Sequence, residues 1–259
     1  MTNAGRLAGK VAVVTGGGSG IGRATALKYA AEGAQVVIGN RNVEAGEETV
    51  RQIQEAGGEA TFLRTDVTNE ADVKALLSHA IDTYGGLHIA FNNAGVEGAT
   101  ATLAEDTVEN YEHIFDVNVK GLWYCMKHQI NHMLQHGGGS IVNNASIAGM
   151  IGFPQHGMYV ASKHAVLGLT RTAALEYGAH GVRVNAVSPA AIETDMLDRF
   201  SGETAEEKAQ TVEMMTSMHP IGRLGKAEEI AGAVAWMSSD DASFLLGQSV
   251  TMDGGFTAI

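Results

Sequence analysis

The sequence predicts a doubly wound α/β fold, with a central, mostly parallel seven-stranded sheet and helices on both faces. Three observations predict it. Short β-branched runs alternate with longer amphipathic stretches along the whole chain. Two of those runs, Val11-Ala12-Val13-Val14 and Val36-Val37-Ile38, are apolar without interruption, as parallel strands covered on both faces must be. A glycine-rich segment, Thr15-Gly16-Gly17-Gly18-Ser19-Gly20-Ile21-Gly22, stands where the first apolar run gives way to the first helical pattern. Regular βα alternation builds a Rossmann-type sheet whose ligand site lies at the carboxyl ends of its strands.

In chain order, the first strand is expected at Val11–Thr15, and the glycine turn leads from it into a helix near 21–32. A strand at Gln35–Asn40 is followed by a helical pattern at 43–56, and a strand at 60–64 by one at Glu70–Tyr84. The strand at 87–92 precedes a long helical pattern over 108–135, and the strand at 140–144 precedes one over 156–179. A strand at 183–188 follows, and a helix at Ala227–Ser238 and a strand at Ser249–Met252 close the series. Glycines cluster where apolar runs end, which suits tight strand-to-helix turns. The segment 193–220 breaks the rhythm: it is helical in tendency and carries Met196, Met214, Met215 and Met218. It reads either as a flexible apolar lid over a substrate or as a packed helical hairpin.

At 259 residues and 45% hydrophobic, the chain is expected to bury one core and form one domain over 1–259. A formal net charge of −12 argues against nucleic acid and anionic membrane as partners, since both need a basic footprint. Cys125 is the only cysteine, which excludes an intrachain disulfide and points to a reducing compartment. With no secretory leader and no apolar run of about 18 residues, a soluble, cytoplasmic protein is expected.

The glycine turn directly follows a strand and opens a helix, the context in which such a turn binds a dinucleotide. Gly16 would allow the tight turn, Gly20 the close approach of pyrophosphate, and Gly22 close helix packing, with the phosphates at the helix N-terminus. At the end of the second strand stand Asn40 and Arg41, where an NAD site usually places a carboxylate for the ribose hydroxyls. A guanidinium suits a 2′-phosphate, so NADP(H) is favoured over NAD(H). The bland alternative for Arg41 is a solvated arginine paired with Glu44 or Glu47.

Of the six tyrosines, only Tyr159 has a lysine, Lys163, one helical turn after it. A lysine ammonium beside a phenol is expected to lower the phenol's pKa, which suits proton exchange with a carbonyl or alcohol oxygen near neutral pH. A dinucleotide carrying hydride would complete a nicotinamide-dependent oxidoreductase. His128, His132 and His136 have helical spacing but no carboxylate or cysteine at ligand spacing, so a polar helix face is expected and no metal site. A hydrolytic Ser-His-Asp reading lacks any G-x-S-x-G elbow. A dinucleotide-binding sensor without catalysis is the reading from a different class.

With Thr15 to Gly22, Asp66-Val67, Asn92-Asn93-Ala94-Gly95, Asn118, Ser146, Tyr159/Lys163, Ser188-Pro189 leading to Thr194, and residues 247–255 in place, the chain resembles the short-chain dehydrogenase/reductase family over essentially its whole length. The resemblance implies that Tyr159 is the general acid/base and that Lys163 tunes it and holds the nicotinamide ribose. It implies that Ser146 hydrogen-bonds the substrate oxygen and that Asn118 holds a water of a proton path. Its cofactor site would comprise Gly16, Ser19, Gly20, Ile21, Gly22, Asn40, Arg41, Asp66 and Val67 beside adenine, and Asn93, Ala94 and Gly95 along the groove. Pro189, Ile192 and Thr194 would stand near the carboxamide, and Tyr159 and Lys163 at the ribose. A small ketone or secondary alcohol is the implied substrate, with Val96, Ala148, Met150, Phe153, His156, Ala190, Ala191 and Met196 as pocket candidates. A homotetramer or homodimer packed through the helices at 108–135 and 156–179 is also implied. Two residues depart from the family pattern: Ala190 stands where a glycine is usual, and Ala145 where many relatives have a second serine.

Overall fold

The computed structural model describes residues 5–200 and 204–258. Seven strands form one sheet, all parallel: β1 (Val11–Thr15), β2 (Gln35–Asn40), β3 (Glu59–Arg64), β4 (Ile89–Asn92), β5 (Gly139–Asn144), β6 (Val182–Pro189) and β7 (Ser249–Met252). Their order across the sheet is β3-β2-β1-β4-β5-β6-β7, so the direction of winding reverses between β1 and β4. Ala12 pairs with both Val36 and Ile89 in register, which makes β1 the centre of the first half. A crevice opens at the carboxyl ends of strands where the order reverses, and ligands bind there.

Helices cover both faces. On one lie α1 (Gly20–Ala31), α2 (Val43–Glu55) and α9 (Ala227–Ser238); on the other lie α3 (Glu70–Tyr84), α4 (Val108–Phe115), α5 (Leu122–Gln135) and α6 (Gly157–Tyr177). Two short helices, α7 (Asp195–Phe200) and α8 (Ala205–Ser217), occupy the expected covering segment, of which residues 201–203 lie outside the described residues. The pleat explains the unbroken apolar strands. Ala12 and Val14 pack toward α1 and α9, while Val11 and Val13 pack toward α3, α5 and α6. The hydroxyls of Tyr29 and Ser238, 2.7 Å apart, join α1 to α9 in the first of these layers.

Helix starts follow local chemistry. The side chains of Asn42, Asn69 and Thr107 accept from Ala45, Ala71 and Asn110 N–H groups, capping α2, α3 and α4. Gly85, at φ 84°, ends α3 in a left-handed turn. One expectation is corrected: residues 108–135 do not form a single α-helix. Asp116–Gly121 makes a π-helical turn between α4 and α5. Such a bulge shifts the residues after it around the helix and so re-aims one side chain, here Asn118. No described helix is long and apolar enough to cross a membrane.

A chain of buried amides locks α5 and α6 onto the sheet. Asn92 Nδ2 donates to Gln129 Oε1 at 2.9 Å and to Asn143 Oδ1 at 3.0 Å, and Gln129 Nε2 returns a bond to Asn92 Oδ1 at 2.8 Å. Asn143 Nδ2 donates to Thr170 Oγ1 at 2.9 Å, and that hydroxyl donates to Val166 O. All four residues are at most 5% exposed. Removing one member strands the others' polar atoms in the core. Asn143→Ala is therefore expected to cost about 2–4 kcal/mol in denaturant unfolding; a loss below about 1 kcal/mol would show the network to be dispensable.

Candidate active site

The crevice is built first from glycine. Gly16 (φ 65°) and Gly20 (φ 49°) adopt left-handed backbone. A Cβ on Gly22 would run into the Gly16 carbonyl oxygen, and one on Gly20 would stand 3.1 Å from Thr194 Cγ2. The turn is held from β4: Asn93 N donates to Thr15 Oγ1 at 3.1 Å, and Asn93 Nδ2 donates to Gly16 O at 3.1 Å. Arg23 reaches back to the Gly18 carbonyl. The first turn of α1 carries no acidic residue, which suits an anionic ligand at its N-terminus. At the floor, Asn144 donates to Asn93 Oδ1, while its own Oδ1 is buried without a partner. A cradle without side chains, a helix N-terminus and an unused acceptor fit a dinucleotide.

At the far end, Asn40 Nδ2 donates to Asn42 O at 2.9 Å and packs on Gly18. Arg41 is exposed and forms no ion pair with Glu44, Glu47 or any other described carboxylate. Asp66 accepts from the N–H and the hydroxyl of Thr68, and these bonds, with the charges of Arg41 and Arg64, hold its pKa down against its partial burial. Val67 is buried against Gly121. Pro189 and Ile192 are buried too. Ile192 packs into the core against Gly225.

Ser146, Tyr159 and Lys163 meet where β5 ends and α6 begins. Lys163 is buried, its Nζ donates to Asn144 O at 2.9 Å, and it stands 5.6 Å from the Tyr159 ring centroid. Burial pushes Lys163 down to about 8. The Tyr159 phenol, on a half-buried residue, is pushed up to about 12, mainly by burial. A hydrogen bond with Ser146 opposes that rise, and the charge of Glu97 adds to it. Desolvation thus dominates this phenol, while the Lys163 ammonium is bonded to a backbone carbonyl. Ser146 Oγ also accepts from Ala148 N at 3.1 Å.

The side chain of Asn118 bridges the β4 exit and α6. Its Oδ1 accepts from Val96 N at 2.8 Å, and its Nδ2 donates to Val96 O at 2.8 Å and to Ser162 Oγ at 3.1 Å. Ser162 Oγ in turn donates to Tyr159 O at 2.7 Å. The side-chain amide thus fixes the β4 exit against α6.

Comparison with known proteins identifies the family. A family model described as enoyl-(acyl carrier protein) reductase matches residues 16–257. A 2,5-dichloro-2,5-cyclohexadiene-1,4-diol dehydrogenase of Sphingobium indicum is 48% identical over 254 residues, spanning 98% of this chain and 99% of its own. A cyclohexanol dehydrogenase of an Acinetobacter species is 44% identical over 249 residues, spanning 96% and 95%. The crystal structure of levodione reductase superposes with a TM-score of 0.94 at 35% identity, covering 97% of this chain and 99% of its own. The chain belongs to the short-chain dehydrogenase/reductase family.

Not every expected pocket residue of this family member reaches the crevice. Ala148 is fully buried and supports the wall from beneath. Met150 is partly exposed and near Thr251, while Phe153 lies 6.0 Å from Phe256, ring to ring. His156 is half-buried, and burial lowers its pKa. Ala190 and Ala191 border a cavity of about 260 Å³ shared with His219, Arg223, Thr251 and Asp253; neither Ser146 nor Tyr159 lines it. The three helical histidines are accounted for locally: His128 faces Glu70 at 2.8 Å, and His132 stacks on His136. Among the described residues, no group of three His, Cys, Asp or Glu is placed to hold a metal ion. The sequence reading missed Asn144, Ser162, Glu97 and Phe256. Only Asn144, a polar residue ending an apolar strand, left a signal that could have been used.

Gly22→Ala should force the glycine turn off the Gly16 carbonyl. Nucleotide binding, followed by nicotinamide fluorescence with NADPH and NADH as probes, is expected to weaken at least about tenfold, or about 1.4 kcal/mol; unchanged affinity for both would contradict the packing described.

Proposed function

We propose that this protein is an NADP(H)-dependent oxidoreductase interconverting a ketone and a secondary alcohol on a six-membered carbon ring. Tyr159 serves as its general acid/base. The observation that carries the reading is the meeting of Ser146, Tyr159 and Lys163 beside a side-chain-free cradle. The ring substrate is supported by the names of two relatives, a cyclohexadiene-diol dehydrogenase and a cyclohexanol dehydrogenase.

A bound nicotinamide supplies or takes the hydride. Ser146 donates a hydrogen bond to the substrate oxygen, steadying the charge that develops there. Tyr159 gives its phenolic proton to that oxygen in reduction and receives it in oxidation. A phenol pushed up to about 12 is protonated at neutral pH, the form that reduction needs. Lys163, anchored on Asn144 O, has its remaining N–H groups for the ribose hydroxyls. Arg41, without a carboxylate partner and beside Asn40, supports a 2′-phosphate at the adenosine end. In this reading α7 and α8 close over the substrate, α8 being a surface helix that carries the exposed Met214 and is followed by the exposed Met218. A homotetramer or homodimer is supported by apolar residues on the outer faces of the long helices, Trp123 at 47% and Leu175 at 86% exposure.

Three measurements test this reading. In paired titrations NADPH should bind at least about tenfold more tightly than NADH, and Arg41→Ala should erase most of that gap; tighter NADH binding would overturn the cofactor assignment. With cyclohexanol and cyclohexanone as probes, Tyr159→Phe should lower kcat/KM about 10²- to 10⁴-fold in both directions while nucleotide binding persists. Retained turnover would remove Tyr159 from the chemistry. The sign of the pH dependence follows from the raised phenol: oxidation, which needs phenolate, should climb steadily above pH 7, whereas reduction should stay level until the phenol begins to ionise.

A further inference from the structure

Residues 150–156 form the loop that joins Ser146, after β5, to Tyr159, in the first turn of α6. The placing of this loop therefore bears on both groups. It is tied to other parts of the molecule. Gln155 O accepts from Ala101 N at 3.0 Å, and Gln155 takes a left-handed backbone, φ 66°, which costs a non-glycine residue energy. Met150 Sδ lies 3.8 Å from the Thr251 hydroxyl on β7. The Phe153 ring stands 6.0 Å from the ring of Phe256, tilted by 51°. Two of these ties thus come from β7 and the turn that follows it.

That turn is built to hold Phe256. The Asp253 carboxylate accepts from Gly255 N at 3.0 Å, from Thr257 N at 2.8 Å and from the Thr257 hydroxyl at 2.6 Å, so it clamps the chain on both sides of Phe256. Phe256 N donates to Asp253 O at 3.1 Å. Gly254 and Gly255 carry no side chain, and Phe256 is the one large group the clamp presents. On its other side Phe256 meets the His219 ring edge-on, with centroids 5.3 Å apart and planes at 65°. His219 is 3% exposed, and its Nδ1 donates to Met215 O at 2.6 Å in the last turn of α8. Ile221 N, two residues on, donates to Gly254 O at 3.1 Å.

Tilted and edge-on aromatic pairs at these separations attract beyond the area they bury. A phenyl ring is also stiff, so a ring packed between two others fixes the distance between them. Phe256 stands in that position, with the foot of α8 on one side and the loop joining Ser146 to Tyr159 on the other. Burial alone would ask for any apolar group here; three hydrogen bonds to one carboxylate fix where this ring sits. We infer that Phe256 is a positioning residue of the substrate site. Through Phe153 and His219 it sets the gap between that loop and α8, and so limits the size of the ring that the site takes. This rests on the reading proposed above, in which α8 covers a ring ketone or alcohol beside Ser146 and Tyr159.

The test pairs a compact ketone with a bulky one. Reduction of cyclohexanone and of the two-ring ketone decalone is followed with the full chain and whichever of NADPH and NADH binds. Phe256→Ala and Phe256→Leu are measured beside the unaltered protein, with thermal unfolding and nucleotide affinity as checks on folding. In Phe256→Ala the ratio of kcat/KM for decalone to that for cyclohexanone should rise at least about tenfold, mainly through KM, with nucleotide affinity within about twofold of the unaltered value. Phe256→Leu, which keeps an apolar group but no ring, should fall between. Phe153→Ala should raise the ratio likewise, and the double variant should do no more than the larger single change, because both break one contact. Tryptic cleavage after Lys208 in α8 reads the same gap without turnover and should quicken at least about threefold in Phe256→Ala. An unmoved ratio, effects that multiply in the double variant, or unchanged cleavage would each overturn the inference. Should Phe256→Ala fail to fold, Phe256→Leu decides alone. If the unaltered protein reduces neither ketone, the ring reading fails, and cleavage alone decides whether Phe256 positions α8.

Discussion

The carboxyl edge of the sheet depends on side-chain amides that stand in for backbone pairing where the strands run out. At the ends of β4 and β5 the ladder stops, yet the chain must hold a glycine turn, a lysine and a tyrosine in fixed relation. Asn93 ties the end of β4 to the glycine turn, and Asn144 ties β5 to Asn93. Beneath them, Asn92 and Asn143 extend the same stitching into α5 and α6 through Gln129 and Thr170. An amide both donates and accepts, so it can satisfy an N–H and a C=O together, which hydroxyls and carboxylates do less completely. The cost of burying such groups is met because almost every one is paired. Asn144 Oδ1, in the crevice, is one of the few that is not.

Much of this was legible from the residues. Unbroken β-branched runs located the strands within a residue or two, because a strand buried on both faces has nowhere to place a polar side chain. The glycine turn gave the crevice, since only glycine tolerates both a left-handed backbone and the contact between Gly22 and the Gly16 carbonyl. The π-helical turn was hidden, because apolar spacing persists through 108–135 and a single extra residue in the winding leaves no mark in composition. Asn118 was found, but its bonds to Val96 and Ser162 were not, because spacing places a residue in a site without saying which of its atoms is already engaged. Ala148 was expected in the pocket and is buried, because tertiary packing, not local pattern, decides which way a residue after a strand end points.

The electrostatics of the site show the same division. Sequence places Lys163 one turn from Tyr159, and Coulomb attraction alone would then favour phenolate. The fold adds desolvation, which penalises the charged form of each group, and it aims the ammonium at Asn144 O. Both groups are thereby biased toward neutrality. A proton can pass between substrate and phenol at small cost when neither partner is a strongly solvated ion. Cys125, buried at the base of this face with its thiol pushed up to about 12, contributes packing and no nucleophile.

The contact between α1 and α9 bears on how the chain reaches its fold. Tyr29 meets Ser238 across 209 residues of sequence. During synthesis, α1 emerges early and presents an apolar flank whose cover is still unmade until residue 238 has left the ribosome. Strands of the first half can pair meanwhile, but one side of their sheet stays open to water and to other nascent chains. Parallel topology makes such delays unavoidable, because every neighbour in the sheet is separated by a crossover. The vulnerable interval for this protein is therefore its own elongation time, and whatever shields α1 during it acts as a partner of the unfinished chain.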